Sequence, residues 1–301
     1  MDQTRAEASP QEDPRSSLVV LGSSAGGIDA LLTVVGGLPA DFTAPVVVAQ
    51  HLDPHHESRL ADLLASRSNL PVHAVTGHAQ LEPGTIYVVP TSSDVAITDH
   101  TVDLATSGTG RSHPSVDRLM ATAAPVFREN LIGVVLTGTG ADGTAGAQAV
   151  KAYGGTVIVQ NPDSARFSGM PASVLQAAID IVAELDAIAG LLVDLCRGGY
   201  AIPPAEDDSE MQVFLDRVRE QTGLDFSAYK RPTIERRLQR RMVAAGVGNI
   251  GEYQRYVDRN PDEMQRLVAS FLIKVTRFFR DAEMYEHLRD RVLPRLLAEA
   301  R

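Results

Sequence analysis

The sequence predicts an α/β domain with a doubly wound, mostly parallel sheet, followed by a small all-α domain. Two observations predict this order. Before about residue 197, uninterrupted Val/Ile/Leu runs alternate with amphipathic stretches, which is typical of parallel strands that helices cover on both faces. After about residue 209, apolar residues recur only at helical spacing, so we expect a helical bundle there.

The elements of the first domain alternate strand with helix. The predicted strands are SLVVLG (17–22), APVVVAQH (44–51), GTIYVVP (84–90), LIGVVLTG (131–138) and GTVIVQN (155–161). The predicted helices are GIDALLTVVGGL (27–38), HESRLADLLASR (56–67), PSVDRLMATAAPVFREN (114–130) and GTAGAQAVKAYG (143–154). Ligands of such sheets usually bind at the carboxyl ends of the strands.

The second domain contains five predicted helices and no predicted strand. They are SEMQVFLDRVREQTGL (209–224), PTIERRLQRRMVAAG (232–246), NIGEYQRYVDRN (249–260), PDEMQRLVASFLI (261–273) and DAEMYEHLRDRVLPRLLAEA (281–300). Gly223 and Gly246 are expected to end two of these helices, and Pro232 and Pro261 to begin two others.

A stretch of paired glycines, paired prolines and acids separates the domains. We therefore predict a disordered tail at 1–16, the α/β domain at 17–197, a linker at 198–208 and the helical domain at 209–301. Charge divides in the same way, because residues 209–301 carry a net charge of +4 and the remainder carries −14. Such a division favours two units with different partners.

Composition excludes several classes of protein. The single cysteine, Cys196, excludes an internal disulfide framework and a cysteine-based metal cluster. The histidines of HLDPHH (51–56) are not expected to bind a metal, because Pro54 interrupts any helical register. No apolar stretch approaches the roughly 20 residues that span a bilayer, and the polar tail lacks the apolar centre of a secretory signal. We therefore expect a cytoplasmic protein with no membrane insertion.

Three predicted strands end in residues that carry chemistry. The first strand ends in GSSAGG (22–27), and the second ends in Gln50 and His51. A later strand ends in LTGTGADGTAG (136–146), which contains Asp142. A serine, a histidine and a carboxylate at one sheet edge form the set that nucleophilic acyl transfer requires. Alone, each has a simpler interpretation, since serine and aspartate beside glycine are most often helix caps.

A nucleotide site is the competing interpretation of the same edge. The segment GTGADG (138–143) is a literal G-x-G-x-x-G between a strand and a helix, and Asp163 follows 20 residues after Gly143. Against a dinucleotide, this fingerprint usually lies on the first βα unit, and here it lies late. Spacing alone gives the triad and the nucleotide interpretation similar weight.

Five motifs of the first domain resemble a known family. GSSAGG, AQH, HPSVD (113–117), LTGTGADG and GMP (169–171) occur in the order found in bacterial chemotaxis protein-glutamate methylesterases of the CheB type. The resemblance covers residues 17–197. It implies hydrolysis of glutamate methyl esters on chemoreceptor helices with release of methanol, deamidation of receptor glutamines, and no cofactor for the hydrolase. It also implies that the protein works at receptor arrays.

The resemblance further implies a role for each residue of the site. Ser24 would be the nucleophile, His51 the base and Asp142 the acid of the triad. The candidate donors to the oxyanion would be backbone N–H groups near Ala25 or Gly26 and near Thr139. The family often has threonine where this chain has Ala25, and the sequence does not explain that difference.

The helical domain carries a cluster of basic residues in YKRPTIERRLQRRM (229–242). Nucleic-acid binding is disfavoured because no aromatic residues interleave the basic ones, while an acidic protein partner and a solvated basic face both fit. This segment and IKVTRFFRD (273–281) resemble the N-terminal helical domain of CheR receptor methyltransferases. The resemblance implies that receptors are contacted by the basic side chains, which are Lys230, Arg231, Arg236, Arg237, Arg240 and Arg241.

The same resemblance implies part of a cofactor site. TRFFR would lie beside S-adenosylmethionine, which gives Thr276, Phe278, Phe279 and Arg280 as a partial site. The main cofactor domain is expected beyond Arg301, so we expect no methyl transfer by this chain. The sequence therefore predicts a methylesterase fused to a receptor-methyltransferase helical domain. The alternative is a catalytically silent module that binds receptors or acts as a scaffold.

Overall fold

A computed structural model describes residues 17–52, 58–91, 93–105, 114–175, 179–197, 208–227, 229 and 231–272. Its strands are β1 Leu18–Ser23, β2 Val46–Gln50, β3 Val72–Ala74, β4 His78–Gln80, β5 Ile86–Val88, β6 Asp94–Thr98, β7 Thr101–Ala105, β8 Leu131–Val135, β9 Thr156–Gln160 and β10 Ile181–Ala183. Its α-helices are α1 Gly27–Gly36, α2 Leu60–Ala65, α3 Val116–Phe127, α4 Thr144–Ala152, α5 Gly169–Leu175, α6 Ile188–Cys196, α7 Asp208–Thr222, α8 Arg231–Ala245, α9 Ile250–Arg259 and α10 Pro261–Phe271.

Seven of the strands form one parallel sheet in the order β10-β9-β8-β1-β2-β5-β3. The strand order reverses after β1, which lies between β8 and β2, so the sheet is doubly wound as predicted. The sequence did not predict the second sheet, in which β4, β7 and β6 pair antiparallel.

Both faces of the parallel sheet are buried at its central strands, which explains the uninterrupted apolar sequence of those strands. In β1, Leu18 and Val20 face one apolar cluster, and Val19 and Leu21 face the other. All four side chains are fully buried. Helix α3 covers the first face and α1 covers the second, so β1 carries only apolar side chains until Gly22 and Ser23 at its carboxyl end.

The helical domain has a core of its own, formed by α7 to α10. The left-handed glycines Gly223 and Gly246 follow the last residues of α7 and α8, and Pro261 begins α10, as predicted. Inside this core, Glu263 accepts hydrogen bonds from Arg241 and from the hydroxyl of Tyr253. The two acceptor oxygens lie 2.9 Å and 2.7 Å from the Arg241 nitrogens, so the buried charges are paired.

None of the helices in the described residues combines the length and the apolar character that crossing a bilayer requires.

Candidate active site

Ser24 lies on a sharp turn between β1 and α1. Its N–H donates to the carbonyl oxygen of Thr137 at 3.0 Å, and its own carbonyl accepts from the N–H of Gly27 at 2.8 Å. Gly26, inside this turn, has φ +73°, a conformation that favours glycine. The glycines of GSSAGG therefore hold one serine at the end of a strand and immediately before a helix.

The neighbouring Ser23 has a structural position. Its hydroxyl is fully buried and donates to the side-chain oxygen of Gln50 at 2.6 Å. The Gln50 amide in turn donates to the carbonyl oxygens of Ser24 and His51, each at 2.8 Å. Gln50 therefore ties together the ends of β1 and β2. From the sequence, Gln50 was recognised only as the neighbour of His51, and its role in joining the two strand ends was not predicted.

His51 follows β2 directly beside the serine turn. Because Ser23 pairs with Gln50 in the parallel register, Ser24 and His51 are the next residues on two adjacent strands. The His51 N–H extends that pairing by donating to the Ser23 carbonyl at 3.0 Å. Within the described residues, no hydrogen bond joins the Ser24 hydroxyl to the His51 ring. Hydrogen bonds of this kind are often long until substrate binds.

The His51 ring is held by Asp142. Its Nε2 lies 2.8 Å from Asp142 Oδ2, and the two side chains are only 12% and 17% exposed. Since an ionised carboxylate can only accept, the hydrogen bond places the proton on Nε2 and leaves Nδ1 as the basic nitrogen. The arrangement can therefore supply a base at one ring nitrogen while the carboxylate fixes the other.

Asp142 also closes the N-terminus of α3. Its carboxylate accepts the backbone N–H of Val116 at 2.7 Å and of Asp117 at 2.9 Å. Burial by itself raises the pKa of Asp142, but the hydrogen bonds from His51 and from these two N–H groups outweigh it and lower the pKa below its usual value. The acid of the predicted triad is therefore kept ionised by both the histidine and a helix end.

Asp117, in α3, makes the equivalent contact with the N-terminus of α4, the helix that follows Asp142. Its Oδ1 accepts the N–H of Gly143 at 2.9 Å and of Gly146 at 2.7 Å, at the start of α4. Burial, followed by the nearby Asp142 charge, raises the pKa of Asp117 despite these hydrogen bonds. From the sequence, HPSVD was predicted only to start a helix. Ser115 caps that helix, because its hydroxyl accepts the Arg118 N–H at 3.2 Å, but the role of Asp117 was not predicted.

The predicted oxyanion donors flank the serine on two loops. Ala25 and Gly26 follow Ser24, and Thr139 follows Gly138, which lies against the serine so closely that a Cβ there would be 2.8 Å from Ser24 Cβ. In the described residues, nothing accepts a hydrogen bond from the N–H groups of Ala25, Gly26 or Thr139. Their role as oxyanion donors stays a prediction, as do the roles of the triad residues.

The G-x-G-x-x-G segment does not offer a phosphate site in this structure. The N–H groups of Gly143 and Gly146, which would face a pyrophosphate at the start of α4, both donate to the carboxylate of Asp117. A phosphate there would have to displace the half-buried carboxylate of Asp117 and meet the Asp142 charge. As for metals, the part of the chain that is described contains no group of three or more histidine, cysteine or acidic side chains that could hold an ion.

The predicted receptor-binding arginines that are described mostly contact the chain itself. Arg231 pairs with Glu235 at 2.8 Å, Arg237 donates to the carbonyls of Ser270 and Phe271, and Arg241 pairs with Glu263. Arg236 and Arg240 contact the α/β domain. Contact with a receptor stays a prediction for these residues.

The remaining predicted binding residues lie outside the described residues. They are Lys230 in the basic segment and the four predicted beside S-adenosylmethionine, namely Thr276, Phe278, Phe279 and Arg280. No step is therefore assigned to that cofactor.

The α/β domain is similar to proteins of known structure and named activity. Among solved structures, the catalytic domain of the Thermotoga maritima CheB methylesterase matches 60% of this chain and 98% of that domain, with 35% identity and a TM-score of 0.57. A Carboxydothermus hydrogenoformans protein-glutamate methylesterase/protein-glutamine glutaminase is 39% identical over 171 residues, which are 54% of this chain and 49% of that protein. The chain therefore spans about half the length of that relative.

A third relative extends the similarity into the helical domain. An uncharacterized 104.1 kDa protein of Rhodobacter capsulatus is 30% identical over 269 residues, which cover 80% of this chain and 28% of that protein. The sequence model of the CheR methyltransferase all-alpha domain matches residues 209–272, and that of the CheB methylesterase matches residues 19–192. The chain belongs to the CheB methylesterase family and carries, fused after its esterase domain, the all-alpha domain of the CheR methyltransferases.

Proposed function

We propose that this chain hydrolyses methyl esters of glutamate side chains on chemoreceptor helices and releases methanol. The observation that carries the proposal is the contact of 2.8 Å between His51 Nε2 and Asp142 Oδ2, with Ser24 as the adjacent residue on the neighbouring strand end. Of the two adjacent serines, Ser23 is buried and donates its hydroxyl hydrogen bond to Gln50, whereas Ser24 lies on the turn beside the histidine. Membership of the CheB family supports this assignment.

The proposed reaction depends on His51 Nδ1, the ring nitrogen that does not take part in the contact with Asp142. Ser24 Oγ attacks the ester carbonyl while His51 Nδ1 takes its proton, and Asp142 stabilises the imidazolium that forms. The developing oxyanion is held by the N–H groups of Ala25, Gly26 and Thr139. The C–O bond to the methoxide then breaks, His51 returns the proton, and methanol leaves a glutamyl ester on Ser24. Water, deprotonated by His51, hydrolyses that ester and releases the glutamate.

Deamidation of receptor glutamines would use the same covalent intermediate. Attack by Ser24 on a glutamine amide gives the same glutamyl ester, with ammonia as the leaving group in place of methanol. The names of the relatives join the two activities, methylesterase and glutaminase. The substrates are therefore segments of methyl-accepting receptors that present either side chain, and the site of action would be the cytoplasmic receptor array.

The proposal is tested by covalent labelling of the intact chain. A fluorophosphonate probe reacts with a serine that is activated by a nearby base, so we expect it to modify Ser24 and no other serine, as read by mass spectrometry of peptides. A methyl-esterified receptor peptide should slow the labelling and should release methanol when no probe is present. If receptor peptides bind but neither labelling nor methanol release occurs, the chain is instead the catalytically silent receptor-binding module.

Asp117 is expected to act as a positioning residue for Asp142. Replacing Asp117 with alanine removes the acceptor for the Gly143 and Gly146 N–H groups, so the turn that carries Asp142 should loosen and kcat/KM should fall by roughly 10- to 100-fold. Asp117→Asn keeps one oxygen at the same place and should restore most of the rate with little change in KM. Equal losses in both variants would contradict a positioning role.

A further inference from the structure

The arginines of α8 contact the α/β domain through backbone carbonyl oxygens. Arg240 Nη1 donates to the carbonyl of Gly154 at 2.6 Å, and its Nη2 donates to the carbonyl of Glu129. Arg241 Nη1 donates to the carbonyl of Asp180 at 3.0 Å. Two arginines on one turn of the helix therefore satisfy acceptors from three separate loops of the other domain.

The three loops share one position in the sheet. Glu129 lies just before β8, Gly154 just before β9 and Asp180 just before β10, so all three precede the amino ends of neighbouring parallel strands. Ser24 and His51, by contrast, follow the carboxyl ends of their strands. Helix α8 is therefore docked on the edge of the sheet opposite the candidate active site.

Further polar and apolar contacts hold α8 against the α/β domain. Arg236 pairs with the carboxylate of Glu129 at 2.9 Å, so the ion pair lies beside the Arg240 contacts. One turn beyond, Ala244 packs against the apolar cluster that contains α6. Burial, followed by the neighbouring Arg236 charge, lowers the pKa of Arg240 to about 10, which leaves the guanidinium charged at neutral pH. Charged donors on carbonyl acceptors are among the stronger hydrogen bonds.

We infer that the basic row of α8, formed by Arg236, Arg240 and Arg241, is the joint between the two domains and is not a free surface for receptors. An acidic partner could reach Arg240 and Arg241 only by displacing the esterase domain from them. In the described residues, the contacts of these arginines with the α/β domain lie at the amino ends of the strands, away from Ser24 and His51. The joint lies at the opposite edge of the sheet, so it does not depend on whether Ser24 is the nucleophile.

Hydrogen exchange on the whole chain, residues 1–301, tests the joint. Arg240→Met keeps the length of the side chain and removes its donors, and Arg255→Met is the matched control at an exposed position on α9. We expect amides of residues 128–131 and 153–156 to exchange at least tenfold faster in Arg240→Met and to be unchanged in Arg255→Met. Methyl-ester hydrolysis should be unaffected in both. Unchanged exchange in a folded Arg240→Met variant would overturn the inference.

A charge swap keeps the test decisive if Arg240→Met fails to fold. Glu129→Arg places like charges opposite Arg236 and should speed exchange at the same amides, whereas the double variant Glu129→Arg with Arg236→Glu should restore protection. If the arginines instead formed a free basic surface, an acidic probe such as polyglutamate would bind to them. Saturable binding of polyglutamate by the wild-type chain, weakened by Arg240→Met with exchange unchanged, would show that the arginines face solvent partners and would refute the joint.

Discussion

Replacing Ser24 with alanine is expected to lower kcat for methyl-ester hydrolysis by about 10⁴- to 10⁶-fold, the range typical for loss of a serine nucleophile. Without the hydroxyl no glutamyl ester can form, and only the rate due to substrate binding and the oxyanion donors remains. KM should change little, because Ser24 forms its bond in the transition state rather than on binding. Methanol release measured by gas chromatography checks the expected loss.

Two other serines serve as controls for that variant. Ser66→Ala removes an exposed hydroxyl at the end of α2, remote from the site, and should leave kcat within about twofold. Ser23→Ala removes the buried partner of Gln50, so it should lower the free energy of unfolding by about 1–3 kcal/mol while the chemistry persists. Near-wild-type turnover in Ser24→Ala would eliminate the proposed nucleophile, and loss of turnover only in Ser23→Ala would reassign it.

Replacing Asp142 with asparagine is expected to lower kcat by about 10⁴-fold, as is typical when the acid of a triad becomes an amide. The amide can donate to the His51 ring and so favours the wrong tautomer, in which Nδ1 carries the proton and cannot act as base. Its NH₂ group would also face N–H donors at the start of α3, which the carboxylate now accepts. Glutamine deamidation should fall in parallel with ester hydrolysis.

The same variant should change how stability depends on pH. Because the folded pKa of Asp142 lies below its usual value, the ionised carboxylate stabilises the fold above the unfolded pKa near 4. That stabilisation is lost as pH falls through the folded pKa. Asparagine cannot titrate, so Asp142→Asn should be less stable than wild type at pH 7, and the difference should shrink as pH falls below 4. Denaturant unfolding at several pH values measures this, and a difference that does not vary with pH would contradict the assigned shift.

Much of the α/β domain was predictable because its signals are local. The strands around Val20, Val47 and Val134 are apolar on both faces, and that pattern indicates a parallel sheet wherever it occurs. Once the sheet is parallel, Ser24 and His51 must share its carboxyl edge. The sequence could therefore bring the candidate residues together, but it could not separate a triad from a nucleotide site, since both begin with glycines at a strand end.

The contacts that sequence reasoning missed join residues far apart in the chain. Nothing local in HPSVD shows that Asp117 accepts N–H groups from a helix that begins 27 residues later. Likewise, the basic row of α8 looks the same in sequence whether Arg240 faces solvent or the carbonyls of another domain. Such outcomes depend on tertiary packing, which composition and periodicity do not encode.

The exchange of caps between α3 and α4 has an evolutionary consequence. Asp142 closes one helix and Asp117 closes the other, so selection for folding alone would retain both acids even in a descendant that had lost hydrolysis. In the part of the chain that is described, the Ser24 side chain makes no hydrogen bond that supports the fold, so folding alone would not retain it. The presence of an aspartate at the position of Asp142 in a homologue is therefore weak evidence of catalytic activity. The absence of a serine at the position of Ser24 would indicate a pseudoenzyme.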